Sequence, residues 1–408
     1  MEQTSIVYPE SLAVDQKLEQ TEDLAASDRG LTIVTGWRKS WIHLRLKGTL
    51  LKVLIRCYPN PIDWIRGLRY LIQLRRKVIG NHRVRKMIRV GKLYYMGLHA
   101  PGWNDSAYRK FIASELYHFK PHNQPRVRFN QLYQAITKKC PLQCEHCSAW
   151  DTLNMKDELG LEEYQQLIRD VEREGLSAVY FTGGEPMVKF ELLQNLISGL
   201  APDTRAWMST SGFHFTSERA KLLKEAGLTG VFVSLDHYDE DKHNTFRNYK
   251  DAYSWALRAA KNALDAGLVV AFSVCLSEEL STEEELSKYR ALARNTGVHF
   301  VQFFEPRAVG HYKNKDVELS REAIQRVEAF FLKMNFRKEH LDYPLISYHG
   351  YYQRRVGCFA AGKRVLYIDA DGNINSCPFC QKSYGNALEG GLDEKVQQMS
   401  GAGCSTFS

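Results

Sequence analysis

The chain has 408 residues, of which 44% are hydrophobic and 25% are charged. This length and composition predict a folded protein of two or three domains with a sizeable apolar core. The chain contains no run of 18 apolar residues, and its first thirty residues lack a basic start followed by an apolar stretch. We therefore expect neither a membrane-spanning helix nor a secretory signal, and we expect a cytoplasmic location.

Cysteine usage and charge are both unevenly distributed. Nine cysteines are too few for a disulfide scaffold in a chain of this length, and seven of them fall into two groups. Such grouping is typical of metal ligands in a reducing compartment. The net charge of +8 has its origin between Trp37 and Arg128, where 21 Lys and Arg residues accompany only three acidic residues.

The polar composition of residues 1–30 predicts a disordered tail. Residues 31–125 form a basic region in which apolar and aromatic residues recur with partly helical spacing, interrupted at Pro59 and Pro61. Helices of this kind suit an anionic membrane surface, an RNA or an acidic leader peptide. The plainer hypothesis is a helical extension that packs on the rest of the protein with a solvated basic face. We favour that hypothesis, keep peripheral membrane contact as the first functional alternative, and rank nucleic acid below it.

Residues 126–345 alternate short β-branched or aromatic runs with amphipathic helical patterns six times. The predicted strands are Leu132–Thr137, Ala178–Thr182, Ala206–Ser211, Gly230–Leu235, Val269–Cys275 and His299–Glu305. The predicted helices are Leu161–Glu174, Glu191–Leu200, Ser217–Ala226, Ala252–Ala266, Thr282–Asn295 and Arg321–Met334. Six right-handed βα units predict an α/β fold, a partial (βα)6 TIM-like barrel.

Unusual polar residues gather at the predicted carboxyl ends of these strands. Cys140 follows the first strand, Gly183 opens a Gly-Gly-Glu-Pro run after the second, and Ser211 and Ser234 end the third and fourth. In parallel barrels this rim is where active sites are built. The sequence therefore predicts a functional site there.

Cys140, Cys144 and Cys147 have the spacing C-x3-C-x2-C in one loop. Three soft thiolates that converge from one turn of chain suit iron–sulfur chemistry and leave one iron of a four-iron cluster open. A structural zinc site is the alternative. It needs four ligands, and the local fourth candidate, His146, adjoins Cys147 and would chelate awkwardly.

This cysteine spacing after the first strand, with Gly183-Gly184-Glu185-Pro186 after the second, resembles the radical S-adenosylmethionine (SAM) superfamily. The resemblance covers roughly half of the chain. It implies a [4Fe–4S] cluster held by three cysteines and an exchangeable SAM, whose reductive cleavage gives a 5′-deoxyadenosyl radical that takes hydrogen from a substrate. It also implies an electron donor such as a flavodoxin or ferredoxin.

The same resemblance suggests roles for individual residues. His146 occupies a position near the adenine where the family usually has an aromatic residue, and the run Gly183–Pro186 holds the methionyl amino group. Ser211 and Ser234 match positions that contact the ribose or carboxylate of SAM, although ordinary polar strand ends explain them equally well. The neighbouring polar residues fit a solvated loop better than a metal site: Asp236, His237 and Asp239.

A second cysteine group lies in residues 346–408 around a predicted hairpin, Val365–Asp369 and Asn373–Cys377, with Asp-Gly at the reversal. The order of these cysteines resembles the SPASM or Twitch auxiliary-cluster domains, and its ligand candidates are Cys358, Cys377, Cys380 and Cys404. A zinc site through the same thiolates and a thioredoxin-like redox pair are the alternatives. The two remaining cysteines match no spacing and are expected to be ordinary buried thiols: Cys57 and Cys275.

We therefore expect a radical SAM oxidoreductase or maturase that acts on a peptide or protein. The alternative within the enzyme class is a small molecule, nucleotide or lipid precursor at a membrane surface, and a structural zinc protein or an RNA-binding protein is the non-enzyme alternative. The Tyr- and Arg-rich segment 348–355 is a candidate for the substrate side.

Overall fold

The structure is a computed structural model that describes residues 32–122 and 128–402. The predicted disordered tail, 1–30, and the predicted ligand Cys404 lie outside these ranges. None of the described helices is both long enough and apolar enough to span a membrane.

The described strands form two sheets. A small antiparallel sheet has the order β1-β2-β3, and a large sheet of ten strands has the order β10-β9-β8-β7-β6-β5-β4-β11-β12-β13. The strands are β1 (Thr32–Val34), β2 (Met87–Val90), β3 (Leu93–Tyr95), β4 (Phe129–Ala135), β5 (Leu176–Thr182), β6 (Arg205–Thr210), β7 (Leu228–Ser234), β8 (Val269–Cys275), β9 (Phe300–Phe304), β10 (Leu345–Tyr348), β11 (Val365–Ile368), β12 (Asn373–Cys377) and β13 (Cys380–Asn386).

Twelve α-helices lie in the described ranges. They are α1 (Gly36–Cys57), α2 (Pro61–Ile79), α3 (Ser106–Phe119), α4 (Leu161–Arg173), α5 (Phe190–Ser198), α6 (Ser217–Ala226), α7 (Glu240–Arg247), α8 (Ala252–Asp265), α9 (Glu283–Thr296), α10 (Arg321–Phe336), α11 (His349–Val356) and α12 (Leu392–Ala402). Each of the six predicted strands and six predicted helices has a counterpart, with ends shifted by at most a few residues. This confirms the α/β class with a central parallel sheet.

Local sequence signals explain several helix boundaries. The Thr216 hydroxyl accepts the backbone N–H of Arg219 at the start of α6, and Gly227 ends that helix with a left-handed φ of 116°. The Thr282 hydroxyl caps α9 in the same way, and Gly297 ends it with a φ of 82°. Hydroxyl caps satisfy free N–H groups at helix starts, and glycine adopts the left-handed conformation without a steric penalty.

The parallel part of the sheet is larger than the sequence predicts. Strand β10 adds to β9 in parallel register, and β11 adds to β4 at the other side, also in parallel. The predicted hairpin β11–β12 is present, and β13 extends it. The C-terminal strands therefore continue the central sheet next to β4, the strand that precedes the first cysteine group. The curl of the sheet into a partial barrel and the domain boundaries stay predictions.

The two faces of the large sheet are covered differently. One face carries α4, α5, α6, α8, α9 and α10 over an apolar core that includes Leu132, Val179 and Phe272. On the other face an aromatic layer that includes Tyr180 and Trp207 packs against the small sheet β1–β3. The N-terminal region therefore contributes directly to the interior of the fold.

Helices α1, α2 and α3 pack around their own apolar cluster, which contains Leu54, Tyr58, Trp103 and Leu116. The Tyr58 hydroxyl donates to the carbonyl of Leu116 over 2.6 Å and so joins the α1–α2 link to α3. The predicted break is confirmed, because α1 ends at Cys57 and α2 begins at Pro61. The outer sides of α1 and α2 expose large apolar residues, which we call the apolar face: Trp37, Trp41, Leu44, Leu51, Ile55, Ile62, Ile65, Leu68 and Ile72.

The prediction of a solvated loop is wrong for Asp236 and His237, which are buried, whereas Asp239 is exposed as expected. Asp236 and His237 are 4% and 8% exposed, and the Asp239 side chain caps α7 by accepting the N–H of Lys242 at 3.0 Å. Helix α7 is strongly charged and lacks apolar periodicity, so its sequence gives no helical pattern. Its buried residues are His243 and Arg247, which tertiary contacts place toward the site.

Candidate functional site

The first cysteine group lies in a loop that leaves the carboxyl end of β4. The backbone N–H of Cys140 donates to Oδ1 of Asn154 over 2.9 Å, and the N–H of Asn154 donates to the carbonyl of Lys138 over 2.8 Å. Asn154 has a left-handed φ of 63°, a conformation that asparagine tolerates better than most residues. These contacts close the loop on itself and fix where it begins.

A second loop, after β9, holds the far end of the cysteine loop. His311 donates its backbone N–H to the carbonyl of Cys147 over 3.0 Å, and its Nδ1 lies 3.0 Å from the carbonyl of Cys144. Its ring stacks on Trp150 with centroids 3.8 Å apart. Gly310 approaches the Cys147 carbonyl so closely that a Cβ would overlap it. No local sequence pattern indicates that the two loops are in contact, because they are far apart in the chain.

The carboxyl end of α7 forms a third support. Arg247 donates to the Sγ of Cys144 over 3.5 Å and to the Asp236 carboxylate at 2.6 Å from its Nε. Burial acts to raise the pKa of Asp236, but the charge of Arg247, together with neighbouring histidines and the N–H of Cys275, holds the pKa below its ordinary value. His146 stacks on Phe246 with centroids 4.9 Å apart, so the residue expected near an adenine is aligned by α7.

The donor set suits an iron–sulfur cluster. Burial raises the pKa of each of the three thiols, and for Cys147 it reaches about 11. A bound metal stabilises thiolates in such surroundings. Among the described residues, no three His, Cys, Asp or Glu side chains are grouped as a single metal ion requires. Three cysteines on one loop without a fourth ligand fit a cluster better than a closed zinc site.

The Gly-Gly-Glu-Pro run lies directly against the start of the cysteine loop. Gly184 donates its N–H to the carbonyl of Thr137 over 2.7 Å, and Glu185 donates its N–H to the carbonyl of Lys139 over 2.9 Å. A Cβ at Gly183 or at Gly184 would overlap backbone oxygen atoms of the β4 loop. Both glycines are therefore required by the close approach of two backbone segments.

The Glu185 carboxylate is buried and accepts four hydrogen bonds. Ser211 donates both its N–H, over 2.7 Å, and its hydroxyl, over 2.6 Å. The hydroxyl of Thr210 donates over 2.9 Å, and the N–H of Met187 donates over 3.1 Å. Burial raises the pKa of Glu185 above its usual range, against the hydrogen bonds from Ser211, which act to lower it. Glu185 thus joins the ends of β5 and β6.

The remaining predicted residues of the first site occupy the same edge of the sheet. Pro186 is buried and begins the short 3-10 turn Pro186–Lys189. Ser234 ends β7, half-buried, and is paired in register with Ser273 of β8. The structure therefore brings the residues predicted for cluster and SAM binding to one rim.

The second cysteine group has two described parts. Cys377 and Cys380 face each other across the β12–β13 turn, and the N–H of Cys380 donates to the Sγ of Cys377 over 3.3 Å. The hydrogen bond from Cys377 lowers the pKa of Cys380. Cys358 lies after α11, where its Sγ accepts the N–H of Ala360 over 3.4 Å. The hairpin is tied to the first site, because Lys138 forms an ion pair with Asp371 at 2.7 Å.

A cavity of about 1830 Å³ connects these regions. Its wall includes the strand-end residues Thr182 and Ser209 beside the first site, and the cysteines Cys358, Cys377 and Cys380. The predicted substrate-side segment lines the cavity from Tyr348 to Gln353. Small-molecule pockets usually measure roughly 300–1,000 Å³, so this space is large enough for a cofactor together with a sizeable substrate.

Two cavity histidines are in contact, of which sequence reasoning missed His99 and included His349 only as part of the segment 348–355. His99 and His349 meet with ring centroids 4.4 Å apart, and both line the cavity. Burial lowers the pKa of His349 to about 4, so its imidazole is neutral near pH 7. Neither ring nitrogen of His99 has a hydrogen-bond partner within the described ranges. Neither residue belongs to a motif, and only the fold brings them together.

Comparison with known proteins shows what this site is similar to. Residues 135–299 match the model of the Radical SAM superfamily. The Fe-coproporphyrin III synthase of Methanosarcina barkeri is 33% identical over 171 residues, which are 42% of this chain and 41% of that protein. The GTP 3′,8-cyclase of Campylobacter curvus is 28% identical over 177 residues, which are 42% of this chain and 54% of that protein. The chain therefore matches about half the length of these curated relatives.

Solved structures agree at the level of the fold. SuiB of Streptococcus suis, bound to its precursor peptide SuiA, has a TM-score of 0.55 at 14% identity, over 82% of this chain and 77% of that chain. The enzyme anSMEcpe with bound AdoMet has a TM-score of 0.52 at 16% identity, over 66% of this chain and 83% of that chain. Residues 135–299 are therefore similar to the radical SAM superfamily, and this similarity supports a [4Fe–4S] cluster and SAM as the cofactors.

Proposed function

We propose that this enzyme cleaves SAM reductively and abstracts hydrogen from a substrate held in the large cavity. The observation that carries the proposal is the position of the cysteine loop and the Glu185 turn on one rim, next to the cavity wall at Thr182 and Ser209. When bound, the cluster and SAM supply the electron transfer and the adenosyl radical.

The protein's own residues would bind the cluster and SAM, position them and enclose the substrate. Cys140, Cys144 and Cys147 would hold the cluster on a loop that has supports from Asn154, from His311 and from α7. The Gly183–Pro186 turn would hold the amino group of SAM, with Glu185 locking that turn to Ser211. Because Ser211 already donates to Glu185, we assign it a positioning role and leave direct contact with SAM to Ser234.

The lining of the cavity favours an apolar substrate over the predicted peptide. The relatives named above are a synthase of Fe-coproporphyrin III and a cyclase of GTP, and SuiB binds a precursor peptide, so their names favour no single substrate class. The wall of this chain's own cavity is rich in leucine and isoleucine, mostly from α1 and α2, and in aromatic side chains, mostly from other segments. Such a wall favours the lipid branch of the small-molecule alternative.

We also propose an auxiliary iron–sulfur cluster at the second cysteine group, of the SPASM or Twitch kind. Cys377 and Cys380 are adjacent, and Cys358 lines the same cavity, while the fourth candidate, Cys404, lies outside the described ranges. An electron donor such as a flavodoxin or ferredoxin completes the proposed oxidoreductase.

The deciding experiment is an anaerobic iron and sulfide analysis with an assay of reductive SAM cleavage. Wild type should contain about eight irons per chain, and the triple variant Cys140→Ala, Cys144→Ala, Cys147→Ala about four. The variant should form no 5′-deoxyadenosine. The matched control is Cys57→Ala, a buried thiol in the N-terminal cluster, which should behave as wild type in both assays.

Two other results would overturn the proposal. Bound zinc in place of iron would support the structural zinc protein. Intact clusters without SAM cleavage, together with RNA binding that survives the triple variant, would support the RNA-binding protein instead.

A further inference from the structure

The apolar face of α1 and α2 consists of two regular stripes. In α1 the exposed residues recur every three, four or seven positions from Trp37 to Ile55, and in α2 they recur every three or four from Ile62 to Ile72. This spacing puts each set on one side of its helix. The α1 stripe is about 27 Å long at 1.5 Å per residue. Trp37 is 75% exposed and Ile65 is 58% exposed, so the face is open to solvent over its length.

Positive charge surrounds this face. The two helices expose ten basic side chains: Arg38, Arg45, Lys47, Lys52, Arg56, Arg66, Arg69, Arg75, Arg76 and Lys77. Their one acidic residue, Asp63, is buried and pairs with Lys120 at 2.6 Å. The surface therefore combines exposed tryptophan, isoleucine and leucine with charge of one sign, a combination that suits an anionic bilayer.

The large cavity opens through the same face. Leu44, Leu51, Ile65, Leu68 and Ile72 are exposed, and all five also line the cavity. The same cavity is also lined by Thr182 and Ser209, at the rim that carries the Gly183–Pro186 run. One cavity thus reaches both the apolar face and the rim of the proposed reaction site.

We propose that the apolar face of α1 and α2 docks on an anionic lipid bilayer and admits a long-chain membrane lipid into the cavity as the substrate. This inference rests on the proposed function for the chemistry, but not for the docking. The helices lie along the membrane surface, because the charged residues on their flanks would not enter its interior. Lipid chains would pass from the bilayer into the cavity along the five exposed side chains that also line it, without crossing water.

A second copy of the chain and an RNA are the competing occupants. A homodimer would place the ten basic side chains of one copy against those of the other, which is unfavourable. An RNA would use the charge, but it would not require aliphatic side chains between the basic ones. The pairing of charge with isoleucine and leucine is what favours the bilayer.

Docking is tested by sedimentation of the full chain with vesicles of phosphatidylcholine alone and of phosphatidylcholine with phosphatidylglycerol. Wild type should bind the anionic vesicles, and binding should weaken as salt rises. The variant Trp37→Gln, Trp41→Gln, Ile55→Gln, Ile62→Gln changes exposed positions that do not line the cavity, so we expect it to fold. Its partition onto vesicles should fall at least about tenfold. The control is the exposed Met155→Gln outside this face, which should bind as wild type.

Charge is tested with two sets of five substitutions to glutamine. The set on the basic helices should lower partition onto anionic vesicles at least about tenfold: Arg45, Lys52, Arg56, Arg66 and Arg69. The matched set of exposed basic residues on the helices of the large sheet should leave it unchanged: Arg169, Lys221, Arg258, Lys261 and Arg321. Equal effects of the two sets would mean adsorption by net charge alone and would overturn the proposal.

Entry of lipid is tested by measuring 5′-deoxyadenosine with SAM, a reductant and vesicles made from the lipids of the source cells. Wild type should form more 5′-deoxyadenosine with these vesicles than without them. Leu51→Trp with Leu68→Trp narrows the opening while keeping it apolar. This variant should bind vesicles as wild type does but lose the stimulation. Stimulation that persists in this variant would overturn the proposed path.

Failure of the docking proposal and failure of the proposed function are distinguishable. A wild type that cleaves SAM without vesicles but does not bind them would refute docking alone. Vesicle binding without SAM cleavage would refute the proposed function alone. A protein that sediments as a dimer and becomes a monomer in the four-residue glutamine variant would assign the face to a second copy.

Discussion

Arg247 lies 3.5 Å from the Sγ of Cys144, and both side chains are buried. The same guanidinium forms a close ion pair with Asp236, whose Oδ1 accepts the N–H of Cys275 over 2.9 Å. Arg247 therefore places a positive charge beside a proposed cluster ligand, and Asp236 holds it there. The chain thus compensates the negative charge of a thiolate at this position without exposing it to water.

Removing this guanidinium should destabilise the protein. In Arg247→Met, Asp236 becomes an uncompensated buried charge, and loss of one partner of such a pair costs about 3–5 kcal/mol. The double variant Arg247→Met, Asp236→Asn should recover part of this loss, because the orphaned carboxylate is gone. Urea unfolding of the cluster-free protein measures the free energy of unfolding of the single and the double variant. A single variant as stable as wild type would show that the ion pair contributes little.

Glu185→Gln should weaken SAM binding as well as stability. The carboxylate accepts four hydrogen bonds, whereas an amide has one acceptor oxygen and turns its NH2 group toward the remaining donors. We expect a loss of about 3 kcal/mol in unfolding free energy and a roughly tenfold rise in the SAM dissociation constant. Calorimetric SAM titration of the reconstituted enzyme measures the second effect. The control is Ser198→Ala, an exposed hydroxyl that donates only to the carbonyl of Gln194, which should leave both values unchanged.

The sequence predicted those parts of the molecule that local patterns encode. Strands such as Val269–Cys275 have an apolar run and a turn signal at each end, and the structure has that strand with the same bounds. Helix α7 was missed because its residues are polar, and β10 because four residues give too short a pattern. Arg247 was missed for another reason. It contacts Cys144 from 103 positions away, and only the packing of α7 beside the cysteine loop shows the contact.

A pair of glycine substitutions tests whether the loop after β9 holds the cysteine loop in place. The control is Gly91, which lies outside that loop. Gly310 and Gly91 have nearly the same left-handed φ, 55° and 56°, but a Cβ overlaps the Cys147 carbonyl only at Gly310. Gly91→Ala should therefore cost about 1 kcal/mol of backbone strain and retain iron. Gly310→Ala should in addition displace Cys147 and lose iron from the first cluster. Equal iron content in the two variants would show that the loop tolerates the displacement.

The proposed auxiliary cluster can be tested separately at the second cysteine group. Cys377→Ser with Cys380→Ser should lower the iron content from about eight to about four per chain, because two neighbouring ligands are lost together. The spectrum of the first cluster should remain in electron paramagnetic resonance of the reduced protein. Cys275→Ser, at a cysteine outside both ligand groups, is the matched control. A wild type with about four irons would refute the auxiliary cluster.

Stability should fall in acid partly through His299. Its Nδ1 accepts the N–H of Val270 over 3.0 Å, which requires an unprotonated nitrogen, and burial lowers the pKa of His299 to about 4 from 6.5. Between these two values the unfolded chain binds more protons than the folded one. The free energy of unfolding should therefore decrease as the pH falls from about 6.5 to about 4, by up to about 3 kcal/mol from this residue. His299→Asn keeps an acceptor near the same place but does not titrate, so the pH dependence over this range should become shallower. Urea unfolding at a series of pH values measures this pH dependence. An unchanged slope in the variant would mean that other buried histidines account for the acid sensitivity. One of them is His243, whose pKa is lowered to about 4 by burial.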